Sequence, residues 1–162
     1  MTYYATGQLL GVDLTGFGTT QIFPLGTITK GKDPTYGEGE FVYLQGIAST
    51  VVGSLVTFNP STHITALAPV GTNKPEPVAV AMSACVASNY GWYQISGVAI
   101  FKKTSALSFA AGLAVGCKTV GLIAASASGK EIQGALTAAI CSATVGTGKV
   151  NLMRPHMQGR VT

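Results

Sequence analysis

Residues 78–101, VAVAMSACVASNYGWYQISGVAIF, constrain the fold more than any other part of the chain. Alternation of period two predicts two β-strands joined by a tight turn at Ser88-Asn89-Tyr90-Gly91. In the first strand Val78, Val80, Met82 and Val86 share one face, while Ala79, Ala81, Ser83 and Cys85 share the other. Neither face carries the Thr, Lys or Glu that water would demand, so both are expected to be covered. The return strand sets Tyr93, Ile95, Ala99 and Phe101 against Trp92, Gln94, Ser96, Val98 and Ile100. The hairpin holds the single Trp of the chain, and the rest is expected to pack around it.

At 162 residues the chain is long enough for one domain with a real core and too short for two. Charged residues make up 10% of it, against roughly 25% in an ordinary soluble domain. Such a surface suits burial by partners better than solitary life in water. The net charge of +4 is scattered over Lys30, Lys32, Lys102, Lys103, Arg154 and Arg160 without interleaved aromatics, which argues against nucleic acid as a partner. The start, Met1-Thr2-Tyr3-Tyr4, has neither the basic residues nor the apolar run of a signal peptide. The most membrane-like window, residues 106–127, is broken by Gly112, Gly116, Lys118 and Gly121, so no membrane span is expected. Cys85, Cys117 and Cys141 are widely spaced in apolar runs and read as buried free thiols.

Along the chain, residues 1–20 carry four glycines yet also Leu9, Leu10, Val12, Leu14 and Phe17. That mixture predicts an extended N-terminal arm that lies on a neighbouring subunit, with those five apolar residues as partner-binding positions. Residues 21–153 are expected to form a single all-β domain, a β-sandwich or barrel of jelly-roll-like type. Its predicted strands cover residues 21–32, 41–47, 55–58, 63–67 and the central hairpin, then 112–117, 120–124, 132–141 and 150–153. Ile132, Leu136 and Ile140 also fit a helical face, but Gly134 and the β-context favour strand. Residues 53–58 and 112–117 echo each other, and each is followed by a turn, a short apolar strand, a polar loop and a third strand. Two copies of one β-unit are therefore expected. Residues 154–162, with Arg154 and Arg160, read as an exposed or partner-bound tail.

The segments GEGEFVYLQGIASTVVGSLVTF (residues 37–58) and PVAVAMSACVASNYGWYQISGVAIF (from Pro77) resemble a tailed-bacteriophage head cement or decoration protein. The resemblance covers about half the chain, between Leu25 and Phe101, and rests on the order of Gly-Glu-Phe, Ala-Met-Ser and Gly-Trp-Tyr-Gln. It implies a viral structural protein of the virion, bound to the outer surface of the capsid and cementing neighbouring major-capsid subunits without catalysis. The family offers no enzyme motif to transfer, so the resemblance implies a role and no site. Sister copies are expected as further partners. The sparse charge and twice-apolar strand point to a symmetric homo-oligomer, and the three-fold junctions of capsid lattices favour a trimer over a dimer.

Motifs for chemistry are near misses. Gly146-Thr147-Gly148-Lys149-Val150 lacks the first glycine of a phosphate loop, which is Ala143 here, and has Val150 where a magnesium-binding hydroxyl belongs. His63 and His156 stand beside no Cys or acid in sequence. Asp33, Glu38 and Glu40 lie close enough to pose a calcium site, although the spacing is not an EF-hand and a solvated turn explains it. The chain is thus read as a non-enzyme without a cofactor. The alternative is a virion tail or fibre β-domain that binds a host glycan, for which Trp92-Tyr93-Gln94 is the sole candidate; the alternation assigns Trp92 instead to core or interface.

Overall fold

The return strand of the central hairpin becomes the spine of the molecule. The computed structural model describes residues 4–6, 9, 11–71, 74–104 and 107–159, and every regular element among them is a β-strand. In chain order these are β1 (Tyr4–Thr6), β2 (Phe17–Gly18), β3 (Ile28–Asp33), β4 (Gly37–Gln45), β5 (Leu55–Phe58) and β6 (Thr65–Leu67). There follow β7 (Val78–Ala81), β8 (Tyr90–Lys102), β9 (Ala114–Thr119), β10 (Leu122–Ala125), β11 (Glu131–Thr137) and β12 (Thr147–Met157). All belong to one curled antiparallel sheet in which β8 pairs with β2, β4, β7 and β12. The all-β barrel or sandwich expectation holds, as a half-barrel.

Both faces of β7 are covered, as its sequence demanded. Val78 and Val80 join one core cluster, with Leu55, Phe101, Ile123 and Leu152. Ala79 and Ala81 join a second, with Val42, Leu44, Val56 and Tyr93. The hairpin differs from expectation in its turn, because β7 ends at Ala81 and residues 82–89 make a longer connection. Cys85 is the reason: it dives into the second cluster, where the Tyr93 hydroxyl donates to its carbonyl at 3.4 Å. Val86, assigned to a covered face, is consequently left exposed on the connection. Burial also pushes the Cys85 and Cys117 thiols up, away from the reactive thiolate, and Cys141 is buried and free as well.

The repeated β-unit is real in the topology. β5 pairs with both β6 and β7, and β9 pairs with both β10 and β11. The third strand of each unit then pairs with a long fourth strand, β7 with β8 and β11 with β12. These fourth strands pair antiparallel with each other from Ser96↔Met153 to Lys102↔Thr147. The order β6-β5-β7-β8-β12-β11-β9-β10 is therefore palindromic by unit. The far ends meet too: Leu55 N donates to Gly121 O and Gly121 N to Ala68 O, both at 2.9 Å. The first cluster fills the hollow between the units, and each large aliphatic side chain buried there contributes roughly 1.5–3 kcal/mol.

Two irregularities interrupt the long strands, and the second sets which residues face outward. Gly97 interrupts β8 at φ +87°, and a Cβ there would stand 2.5 Å from Glu38 O. The buried Gln94 amide straps this kink, its Nε2 donating to Ser96 O at 3.0 Å and Val98 O at 3.1 Å. In β11 the register shifts between Gln133 and Ala135, around Gly134 at φ +75°. Three residues of β12, Met153 to Pro155, stand opposite Gly134 alone, and the inside–outside alternation breaks there, so Ile132 points inward while Leu136 points out.

The C-terminal boundary expected at Arg154 falls inside a strand. Pro155 reads as a strand breaker, yet it lies in the bulged stretch of β12 opposite Gly134, where no ladder hydrogen bond is required of it. Pairing then resumes at His156↔Gln133 and Met157↔Ile132, with Met157 buried. The segment called 21–32 is likewise shorter as a strand, since residues 21–27 form an irregular approach to β3.

Replacement of Gly97 by Ala should lower stability by about 1–3 kcal/mol through φ strain and the clash with Glu38 O. Chemical denaturation of parent and variant measures this, and an unchanged midpoint would contradict the strained close approach at Gly97.

Candidate adhesive surface

Leu9, Val12 and Leu14 pack onto the chain's own sheet. Asp13 Oδ1 accepts from Thr15 N at 2.8 Å and Thr15 Oγ1 at 2.7 Å, a local turn that reverses the chain and holds the Asp13 carboxyl below its usual range. Leu14, just inside the turn, is completely buried with Phe41, Tyr43 and Trp92. Leu9 and Val12 pack against the same cluster, half-buried. Phe17 begins β2, paired to Gly91, and is 52% exposed. Leu10 and Arg160 lie outside the described residues. Of the proposed partner-binding positions in this stretch, Leu14 is thus spent in the domain's own core, whereas Phe17 remains available.

Beneath this segment the aromatic rings interlock. Tyr43 and Trp92 stand 5.1 Å apart by ring centroid, Phe23 lies 5.4 Å from Tyr43 and 5.5 Å from Trp92, and Tyr43 runs nearly parallel to Tyr90. Trp92 is therefore a core residue, one of the two places its sequence allowed. Burial drives the Tyr93 hydroxyl far above its usual pKa, which keeps it neutral.

Arg154 extends from β12 to Glu40 of β4, Nε to Oε2 at 2.9 Å, across the point where both strands meet β8 at Ser96. This guanidinium is the first cause that holds the Glu40 carboxyl below its usual range. The three acidic residues posed as a calcium site do not converge. Lys30 faces Glu40 and Lys32 faces Glu38 across the β3–β4 ladder. Asp33 is buried at the turn, where its Oδ1 accepts from Thr35 N and Tyr36 N at 2.8 and 2.9 Å. Among the described residues no group of three His, Cys, Asp or Glu side chains is placed to hold a metal.

The surface that sequence reasoning missed is the outer face of β8, β12 and β11. The registers Ile100↔Lys149, Val98↔Asn151, Ser96↔Met153 and Leu136↔Asn151 place these residues together on one side. Their sequence neighbours Ala99, Phe101, Val150 and Leu152 fill the core on the other. A water-facing sheet surface would be polar, yet Met153 is 56% and Leu136 38% exposed, with Val98 and Ile100 half-buried between them. Beyond the end of β11, Ile140 at 81% and Val145 at 50% exposure border a groove of about 320 Å³ that also touches Ile100 and Lys149. Gly134 was the available signal, since a glycine inside a strand marks a possible bulge and hence a change of face.

No known protein-family model matches the chain, and a search of curated proteins found no match.

Leu14→Ala should cost about 2–5 kcal/mol of stability, while Phe17→Ala should leave the thermal melt nearly unchanged; equal effects would refute the difference in burial. Glu40 has its carboxyl lowered in the fold, so its pairing stabilises above the ordinary value of 4.5 and is lost as pH falls through the lowered one. Because the Arg154 side chain is 64% exposed, solvent screening limits the pair to about 0–1 kcal/mol. Arg154→Gln should show that small deficit at neutral pH and converge with the parent in acid, as read from paired urea titrations.

Proposed function

We propose that this chain is an adhesive structural subunit, a cement or capsid decoration protein on the outer surface of a bacteriophage head. The observation that carries the reading is the apolar outer face of β8, β12 and β11, continued by Ile140 and Val145. Large side chains on the water side of a sheet whose other side is already core call for a covering partner. The resemblance of residues 37–58 and 77–101 to phage cement proteins supplies the partner class, the major capsid protein. Adhesion needs no catalytic group. Apolar contact contributes roughly 25 cal/mol per Å² buried, and many equivalent copies on one shell multiply a modest single-site affinity. Sister copies in a trimer would add contacts of the same kind.

The test is a titration of purified parental capsids lacking this protein with wild-type chain and with Leu136→Asp/Ile140→Asp. Both positions are exposed, so the double variant should fold and melt like the parent, yet bind at least about tenfold more weakly if each lost apolar contact is worth near 1 kcal/mol or more. Undiminished binding by a folded double variant would remove this face from the mechanism. Absence of any capsid binding by the wild type, with saturable binding to a host glycan, would replace the reading by the fibre-domain alternative.

A further inference from the structure

A cleft of about 280 Å³ opens between the folded N-terminal segment and the aromatic side of the sheet. Buried Tyr43 and Trp92 form its floor, Phe23 and Tyr90 its partly exposed walls, and Phe17 and Asp13 stand exposed at its mouth. Tyr43 and Tyr90 are nearly parallel, inclined by 21° with centroids 6.5 Å apart, while Trp92 tilts 57° to Tyr43. Ring faces carry negative potential and attract cations, Trp most strongly. Asp13 is the single charged residue in the lining, and it adds to that potential with the same sign. Its position is fixed by two hydrogen bonds from Thr15 to one carboxylate oxygen.

We propose that this cleft is a socket for an arginine side chain presented by a partner protein, the guanidinium plane lying on the aromatic rings and its charge directed to Asp13. Arginine fits better than lysine because its guanidinium is planar, weakly hydrated and stacks on aromatic faces. A sugar fits less well, since its hydroxyls need several polar partners and the Tyr43 hydroxyl already accepts from Ile22 N at 3.3 Å. Size decides in the same direction. Small-molecule sites usually run from roughly 300 to 1,000 Å³, so this cleft suits one side chain rather than an extended ligand. A purely apolar guest would leave the Asp13 carboxylate partly desolvated without a counter-charge. The inference stands on the cleft alone and is independent of the capsid reading.

Trp92 is the only tryptophan of the chain, so intrinsic fluorescence reports directly from the floor. The full chain is titrated with a capped leucyl-arginyl-leucine peptide and with the same peptide carrying citrulline, the neutral isostere, in place of arginine. A saturable fluorescence change is expected with the arginine peptide, and binding weaker by on the order of tenfold with citrulline. Asp13→Asn keeps an acceptor for Thr15 but removes the charge; it should bring the arginine peptide down to the citrulline level and leave the citrulline peptide unaffected. Equal affinity of the wild type for the two peptides overturns the proposal, as does the absence of a saturable response to either. Saturation by methyl glucoside without a response to arginine would overturn it in favour of a sugar site.

Discussion

Hydrogen bonding along β8 is the constraint from which the rest of the molecule follows. β4 takes residues Tyr90 to Ser96, and β12 takes Ser96 to Lys102. β7 and β2 occupy further positions at Gln94, Tyr93, Gly91 and Tyr90. A buried backbone amide without a partner costs more than a typical hydrogen bond contributes, so a strand of this length in the interior must be flanked along its whole course. The two β-units supply the flanks by sharing it: β8 belongs to one and pairs with the corresponding strand of the other. Their interface is then filled by side chains from both, from Leu55 and Val80 to Ile132 and Leu152.

That arrangement leaves strain at the places where three strands converge. Near Ser96 the chain must pass from a partnership with β4 to one with β12, and Gly97 and the Gln94 amide absorb the kink. The corresponding break between β11 and β12 uses Gly134 opposite Met153 to Pro155. Only the second break changes which side chains meet solvent, since Tyr93, Ile95, Ala99 and Phe101 are buried on both sides of Gly97. The apolar outer face is a product of this local geometry as much as of composition, because without the bulge Leu136 would follow Ile132 into the core.

Two surfaces of different chemistry result. One is broad, with Val98, Ile100, Leu136 and Met153 set among Ser96, Lys149 and Asn151 over β8, β12 and β11, and suits extended contact with another protein. The other is a small aromatic cleft with a single carboxylate, built where the N-terminal segment folds back over Trp92. On the proposed readings, affinity at the first would scale with area and copy number, and selectivity at the second would come from charge and ring geometry.

The strand character of the chain, the cover on both faces of Val78–Ala81 and the duplication of a β-unit were all legible in the sequence. Each depends on local alternation or on spacing, which backbone geometry converts directly into structure. The buried state of the three thiols followed in the same way from their apolar neighbours. Tertiary structure alone decided the fates of Leu14 and Phe17. Leu14 and Phe17 look alike in sequence, but only one meets the hollow between Phe41, Tyr43 and Trp92. It also decided that the chain continues as strand through Pro155, since a proline is tolerated within a bulge, where its amide has no ladder partner to meet. The outer apolar face was equally hidden: period two fixes faces only until a bulge exchanges them, and the position and number of bulges are settled by how non-adjacent strands must align.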